Sequence, residues 1–347
     1  MKTRLVVLLP VLCGLAFAQI EIRLSLKVVV DPSSGSRPPG VTDTLLTTAV
    51  TSANVWLDSY WRGYRFRLTE IVSIGGPSQG GINGPSKWFG ANVPSNWAAF
   101  ESDAQTDPRY LFRTNQVNFY ITAGPVGPGN SGGACPIANN PADAGYLACF
   151  AWVDDGPWWL VHETGHFFGL YHTFGGAQCS NGATTAGDDG IRDTLPEIDC
   201  WTETDIMNYA LNNVGGFNTL PVDAQLKLVD DTYFNTMSYH SAVTKNTVEN
   251  RRTELQLDRI GDTASGPRRA TVSGTTWVVS PLGSDCDVCG FSLSPFRTLG
   301  WAAQRAGAGD VILLRPAAYN EALTINKPVT LRATRQGPVA IGTAVVP

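Results

Sequence analysis

The sequence predicts an α+β protein: a twisted mixed sheet with one helix that carries the chemistry, followed by a smaller β-rich module. Three observations lead there. Apolar residues alternate between strand-like and helix-like periods through the first two thirds of the chain. A helix-start signature stands directly before a histidine-rich run. Composition then changes around residues 262–274, after which short strand-like runs dominate.

Taken in order, Ile20 to Val30 reads as a strand, and Asp43 to Trp61 sets Leu46, Val50, Ala53, Leu57 and Tyr60 on one helical face. Tyr64 to Ile74 alternates Tyr64, Phe66 and Leu68 against Arg65, Arg67 and Thr69, the period of a half-buried strand. A Gly/Pro-rich loop spans Gly75 to Gly84. Trp97 to Ala104 reads as a short helix, Val117 to Ile121 and Gly145 to Val153 as strands, and Gly124 to Gly133 as a loop. Asp154, Asp155, Gly156 and Pro157 then open a helix, since proline in a first turn forfeits no helical hydrogen bond. Cys179 to Val222 is polar, Gly-rich and weakly periodic, as a long connection would be; Leu255 to Ile260 reads as helical.

Residues 1–18 read as a signal peptide, with Lys2 and Arg4 ahead of an apolar run from Leu5 to Leu15 and a small-x-small exit at Ala16-Phe17-Ala18. That run is shorter than the ~20 residues of a spanning helix, so no membrane span is expected and the protein is expected to be secreted and extracellular. Losing Lys2 and Arg4 takes the formal charge of −5 to about −7, which argues against nucleic acid as a partner. The expected division is a catalytic domain over residues 19–262, a linker over 263–274 and a module over 275–347.

The chain has seven cysteines, and losing Cys13 with the signal leaves an even number, which in an exported protein favours disulfides. Cys135 with Cys149, Cys179 with Cys200 and Cys286 with Cys289 are local pairs flanked by Gly or Asp. A cysteine-ligated zinc competes, but only Cys286 and Cys289 have ligand spacing and no second such pair exists.

The chemistry lies in His162-Glu163-Thr164-Gly165-His166-Phe167-Phe168-Gly169-Leu170-Tyr171-His172. Residues four apart share a helical face, so His162 and His166 can offer two imidazoles to one zinc ion. Gly169 can end the helix in a backbone conformation other residues avoid, which lets His172 arrive as a third ligand and leaves the fourth position open for water. Glu163, beside the first ligand, is placed to act as general base on that water and to return the proton to the leaving amine. The chain holds only four histidines, and three stand in this run.

This pattern, HExxHxxGxxH, resembles the metzincin zinc metalloproteases, and the continuation Leu170-Tyr171-His172-Thr173-Phe174 is similar to their pappalysin branch. Gly187 to Thr194 resembles the same branch's Gly-Asp…Asp-Thr-Pro segment, with Leu195 inserted before Pro196. The resemblance, over about Phe119 to Ile260, implies a methionine turn below the metal and a tyrosine two residues on. Met237 with Tyr239 fits and is preferred, because Thr253-Glu254-Leu255-Gln256 follows in the way the branch implies; Met207 with Tyr209 is the alternative. Tyr239 would then stabilise the reacting carbonyl. His240, the fourth histidine, can be a site residue or an ordinary core histidine.

Asp188, Asp189, Asp193, Glu197 and Asp199 supply hard oxygen ligands at short spacing. They suit calcium, as the resemblance also implies, or a solvated acidic loop; of these Asp188, Asp189, Asp193 and Asp199 are the candidate ligands. Trp88, Phe89, Trp97, Trp158 and Trp159 line a cleft or fill the core. In the module, Thr276 to Val279, Val311 to Arg315, Ala322 to Ile325 and Val329 to Ala333 read as strands, with a helix from Thr298 to Gly307. Trp277 to Asp285, Pro295 to Leu299 and Gly309 to Leu314 resemble the opening coil of right-handed parallel β-helix proteins, which implies a docking or polysaccharide-contacting role.

Two functions follow. One is a secreted zinc endopeptidase acting on proteins or peptides; the other is a surface-binding protein with a structural zinc and a carbohydrate-contacting β-helix fragment. Glu163 separates them, since a structural site gains nothing from an acid beside its ligand.

Overall fold

A computed structural model describes residues 20–60, 64–90, 96–123, 132–134, 148–152, 158–240, 252–266, 268–334, 336–342 and 344–346. Residues 1–18, read above as a signal peptide, and Cys135 lie outside them, as do the side chains of Trp97 and Cys149.

The base is a five-stranded sheet. Strand β1 (Ile20–Val30) runs parallel to β2 (Tyr64–Gly75) on one side and to β3 (Val117–Ile121) on the other. A short β4 (Gly132–Ala134) forms the antiparallel edge beside β5 (Ala148–Trp152), giving the order β2-β1-β3-β5-β4. Gly132 and Gly133, expected in a loop, thus belong to an edge strand. Flanked by β2 and β3, β1 alternates Ile20, Ile22, Leu24 and Leu26 with Glu21, Arg23, Ser25 and Lys27, and only its end, Val28 to Val30, is a continuous apolar run. Ile20, Ile22, Leu24, Leu26 and Val28 face the main core with Leu46, Ala53 and Leu57 of α1 (Asp43–Tyr60). Val29 faces a second core with Tyr120 and with Phe100 of α2 (Trp97–Thr106). Asn54 fastens α1 to β2: its amide donates to the Phe66 carbonyl at 3.0 Å and accepts from the Phe66 N–H at 2.7 Å.

Helix α3 (Trp158–Phe167) is buried along its whole length. The stretch from Cys179 to Val222, expected as a connection without regular structure, instead contains α4 (Glu203–Asn213), followed by α5 (Val222–Tyr233). A capping box was its signal: Thr202 accepts from Asp205 N–H while Asp205 accepts from Thr202 N–H. Only Ile206 and Ala210 of α4 are buried, so its apolar period is faint. A second capping box, Thr253 with Gln256, opens α6 (Glu254–Ser265).

Residues 263–274 begin in the last turn of α6, and Arg268, Thr271 and Val272 among them are buried. Arg268 is fully buried, donates to the Phe167 carbonyl at 3.1 Å and lies over the Phe167 ring. Val272 bridges to Ile22, filling the flank of β1 ahead of the point where β3 begins to pair. Beyond it come β6 (Thr276–Val279), α7 (Leu299–Arg305), β7 (Val311–Leu314), β8 (Ala317–Tyr319), β9 (Thr330–Ala333), β10 (Val339–Ile341) and β11 (Ala344–Val346). Strands β6, β7 and β9 form one parallel sheet, and β8, β10 and β11 form another three-stranded sheet. Ala322 to Ile325, expected as a strand, is irregular: Leu323 and Ile325 pack on this module's core without joining a ladder.

Candidate metal centre

Helix α3 delivers His162 and His166 from successive turns. The chain then breaks at Gly169, whose φ of 88° lies in the left-handed region that glycine tolerates. Leu170 N–H donates back to the Gly165 carbonyl at 3.0 Å, closing the helix end and bringing His172 around to the other two rings. The three Nε2 atoms form a nearly equilateral triangle: 3.2 Å between His162 and His166, 3.1 Å between His162 and His172, and 3.0 Å between His166 and His172.

The opposite ring nitrogens fix the tautomers. Nδ1 of His162 is 2.6 Å from the Thr236 carbonyl, and Nδ1 of His166 is 2.7 Å from the Leu170 carbonyl. A carbonyl can only accept, so Nδ1 carries the proton and Nε2 offers its lone pair inward. Burial, ahead of the neighbouring imidazoles, holds His162 and His172 well below the usual histidine pKa, and burial brings His166 down to about 4. Neutral rings with converging lone pairs repel one another unless a cation lies between them. A tetrahedral zinc with bonds of about 2.0–2.1 Å keeps its nitrogens about 3.3 Å apart, so the triangle fits that ion.

Glu163 is buried next to His162. The Tyr239 ring centroid is 4.6 Å from that of His172 and 5.6 Å from that of His162. Burial, then the charge of Glu163, raises the Tyr239 pKa, so its hydroxyl is a proton donor throughout the neutral range. Trp158 lies against His162 at 4.3 Å and Phe174 stacks on His172 at 4.6 Å, giving the centre an aromatic wall. Trp88 and Trp159, by contrast, are core residues, in ring contact with Phe100 and Phe119.

Met237 is fully buried in the turn that supplies the Thr236 carbonyl, and its own carbonyl accepts from Thr173 N–H at 3.3 Å. Met207 lies on α4, packed beside the small core of Ile206, Ala210, Phe217 and Val229. A polar chain holds the Met237 turn. The Asn235 side chain accepts from Met237 N–H at 3.0 Å and donates to Gln256 at 3.0 Å, and Gln256 donates to Asp189 at 3.2 Å.

The acidic run is not gathered around one point. Asp188 accepts from Gly190 N–H, Asp189 from Ile191 N–H and the Thr194 hydroxyl, Asp193 from Leu255 N–H, and Asp199 from Cys179 N–H. Among the described residues no three of these carboxylates converge as the histidines do. Cys179 and Cys200 form a disulfide, as do Cys286 and Cys289; the Cys135 and Cys149 pairing lies outside the described residues.

Glu197 had no separate role in the sequence reading, yet it is fully buried in contact with His240, Ser238 and Thr173. Only its place in an acidic run was visible, and an acidic run does not distinguish a buried member from solvated ones.

Residues 137–261 match the family described as Peptidase_M43, pregnancy-associated plasma protein-A. This segment is similar to the pappalysin-like metzincins. It contains the whole histidine triangle, Glu163, Met237 and the α6 capping box. No curated protein is significantly similar to the chain. Among the solved structures that match, two illustrate a low similarity. One is a chaperone-substrate complex, 17% identical with a TM-score of 0.30, over 45% of this chain and 27% of that one. The other is Tannerella forsythia mature mirolysin with a cleaved peptide, 15% identical with a TM-score of 0.42, over 73% of this chain and 95% of that one. This chain therefore spans only about a quarter of the first and nearly all of the second.

Proposed function

We propose that the protein is a secreted zinc-dependent endopeptidase that hydrolyses peptide bonds. The observation that carries the reading is the triangle of inward-facing Nε2 atoms 3.0–3.2 Å apart, two of them fixed by carbonyls behind their rings. His162, His166 and His172 would hold the ion. Zinc bound there supplies a Lewis acid and brings the pKa of a water to about 7. Glu163 accepts the proton of the attacking water and hands it to the departing amine. The Tyr239 hydroxyl, kept protonated by its surroundings, donates to the carbonyl oxygen as it gains charge. Trp158 and Phe174 limit water around these groups.

The two disulfides among the described residues support export. The module from residue 275 is read as a β-helix-like docking element. Calcium is no part of the proposal, because the four candidate carboxylates are each engaged by backbone N–H groups at separate places. The rival, a surface-binding protein with a structural zinc, leaves a buried Glu163 beside the ligands without a task.

The test is cleavage of an unfolded protein substrate by the purified protein. Cleavage should be abolished by a chelator, restored by zinc, and lost in Glu163→Ala with zinc content retained. Cleavage by that variant at the parental rate would sink the assignment of the base; zinc binding without cleavage by the parent would favour the structural reading.

A further inference from the structure

Glu197 ties together the segments that bear His172 and Tyr239. The carboxylate is fully buried. Its Oε1 accepts from the hydroxyl of Thr173, the residue directly after the third histidine, and from the Ser238 hydroxyl at 3.1 Å. Its Oε2 faces Nε2 of His240 at 2.5 Å. Ser238 and His240 are the two chain neighbours of Tyr239, so one carboxylate holds that residue from both sides.

The holder is itself fixed. Glu197 and Gly187 exchange two backbone hydrogen bonds of 2.9 Å each, and the His240 ring stacks on Tyr233 of α5 with centroids 4.5 Å apart. Tyr239 in turn packs against both rings of the His172–Phe174 stack, at 4.6 and 4.9 Å. A buried carboxylate costs several kcal/mol unless its oxygens are fully engaged, and a well-packed apolar group would be the cheaper filler. Thr173, Ser238 and His240, the side chains that engage this one, each adjoin either His172 or Tyr239 in the chain.

We propose that Glu197 and His240 are positioning residues: through Thr173, Ser238 and the backbone of Tyr239 they hold the third histidine and the tyrosine hydroxyl in register with each other. Neither touches the reacting atoms. The inference rests on the peptidase reading for the role of Tyr239, while its His172 half is testable by metal affinity alone.

The experiment uses the full chain, with Glu197→Gln and His240→Gln each made alone and combined with Tyr239→Phe. Zinc affinity is read by chelator competition, and kcat and KM are read on a fluorogenic peptide that the parent cleaves. Outer-shell substitutions of this kind cost about 10- to 100-fold in metal affinity or activity. Zinc affinity should therefore fall about tenfold or more in Glu197→Gln. The loss of activity should lie in kcat, with KM within about twofold. In the Tyr239→Phe background the same substitutions should cost less than about threefold, because coupled residues are not additive.

Unchanged zinc affinity together with equal losses in both backgrounds would overturn the proposal, since that is how a purely structural core residue behaves. If Glu197→Gln does not fold, His240→Gln decides by the same readouts. A parent that binds zinc but cleaves nothing would overturn the peptidase reading, and the zinc affinities would still decide whether Glu197 holds the third histidine.

Discussion

A Cβ placed on Gly165 would stand 2.6 Å from the sulfur of Met237 and 2.7 Å from a guanidinium nitrogen of Arg252. Both side chains are buried beneath α3, and Arg252 donates to the Val161 carbonyl at 3.2 Å. Gly165 is thus the point where the helix between the two histidines rests on the turn below. Alanine is the better helix former by about 1 kcal/mol, yet crowding a packed core costs about 1–3 kcal/mol. Gly165→Ala should lose stability in urea melts and bind zinc more weakly. A gain in stability would mean that this contact is not tight.

The same contact separates the two methionines. Met237→Ala should cost about 2–5 kcal/mol, the range for truncating a buried side chain, and should weaken zinc binding. Met207→Ala, on a half-exposed position of α4, should cost well under that and leave zinc affinity unchanged. Equal effects on zinc affinity would remove the distinction.

Much of this site was legible because its information is local. Spacing on one helix, a glycine after it and a third histidine six residues beyond the second require nothing from distant parts of the chain. The Thr253 and Gln256 capping box was likewise visible as a helix start. What the sequence did not disclose is held by long-range contacts. Glu197 reaches His240 across 43 residues, and Asn235 reaches Gln256 across 21. Helix α4 was missed for another reason: it buries two residues, so the cap at Thr202 was its better signal, and a weak period hid it. Residues 263–274 have a loop-like composition, yet Arg268 and Val272 are core positions set by partners in α3 and β1.

Lys27 gives a prediction in pH. It is fully buried on β1, 2.5 Å from the Asn118 side-chain oxygen, and burial, opposed by the charge of Glu70, lowers its pKa from 10.5 to about 7. Between those values the unfolded chain keeps a proton that the folded chain has released, so this group makes stability rise with pH, by up to about 1.4 kcal/mol per unit. Below pH 7 both states are protonated and the dependence from Lys27 ends. Denaturant melts from pH 7 to 9 should show the rise in the parent and a flatter profile in Lys27→Met. Parallel profiles would mean that Lys27 titrates in its ordinary range.

The disulfide between Cys179 and Cys200 closes a loop of 21 residues' separation around the segment that pairs Gly187 with Glu197. Cross-linking a loop of that length is worth about 3 kcal/mol in the unfolded-chain account. Replacing both cysteines by alanine should lower stability by that order and speed amide exchange at Gly187 and Glu197. Unchanged exchange there would show that the bridge acts only on the unfolded chain.

The module beyond residue 275 should be needed for the stability of the rest. Val311 of β7 belongs to the main core, and the Tyr64 hydroxyl is 2.7 Å from that of Thr276 on β6. Two acids of α6 also point across the seam. Asp262 accepts from Ser292 N–H at 2.9 Å, and Asp258 accepts from Arg315, which also donates to the Ser292 carbonyl. Burial raises the pKa of Asp262, so its engagement by Ser292 offsets a real desolvation cost. A chain ending at residue 274 would expose Tyr64, Asp258 and Asp262 at once, and it should melt well below the full protein. Arg315→Met is the gentler probe, since it keeps most of the volume while leaving Asp258 without this guanidinium. Breaking one partner of a mostly buried pair costs more than removing both, so Arg315→Met should destabilise more than Arg315→Met combined with Asp258→Leu. Amide exchange along α6 should report the difference; identical exchange in the parent and both variants would mean that the seam contributes nothing to holding the helix.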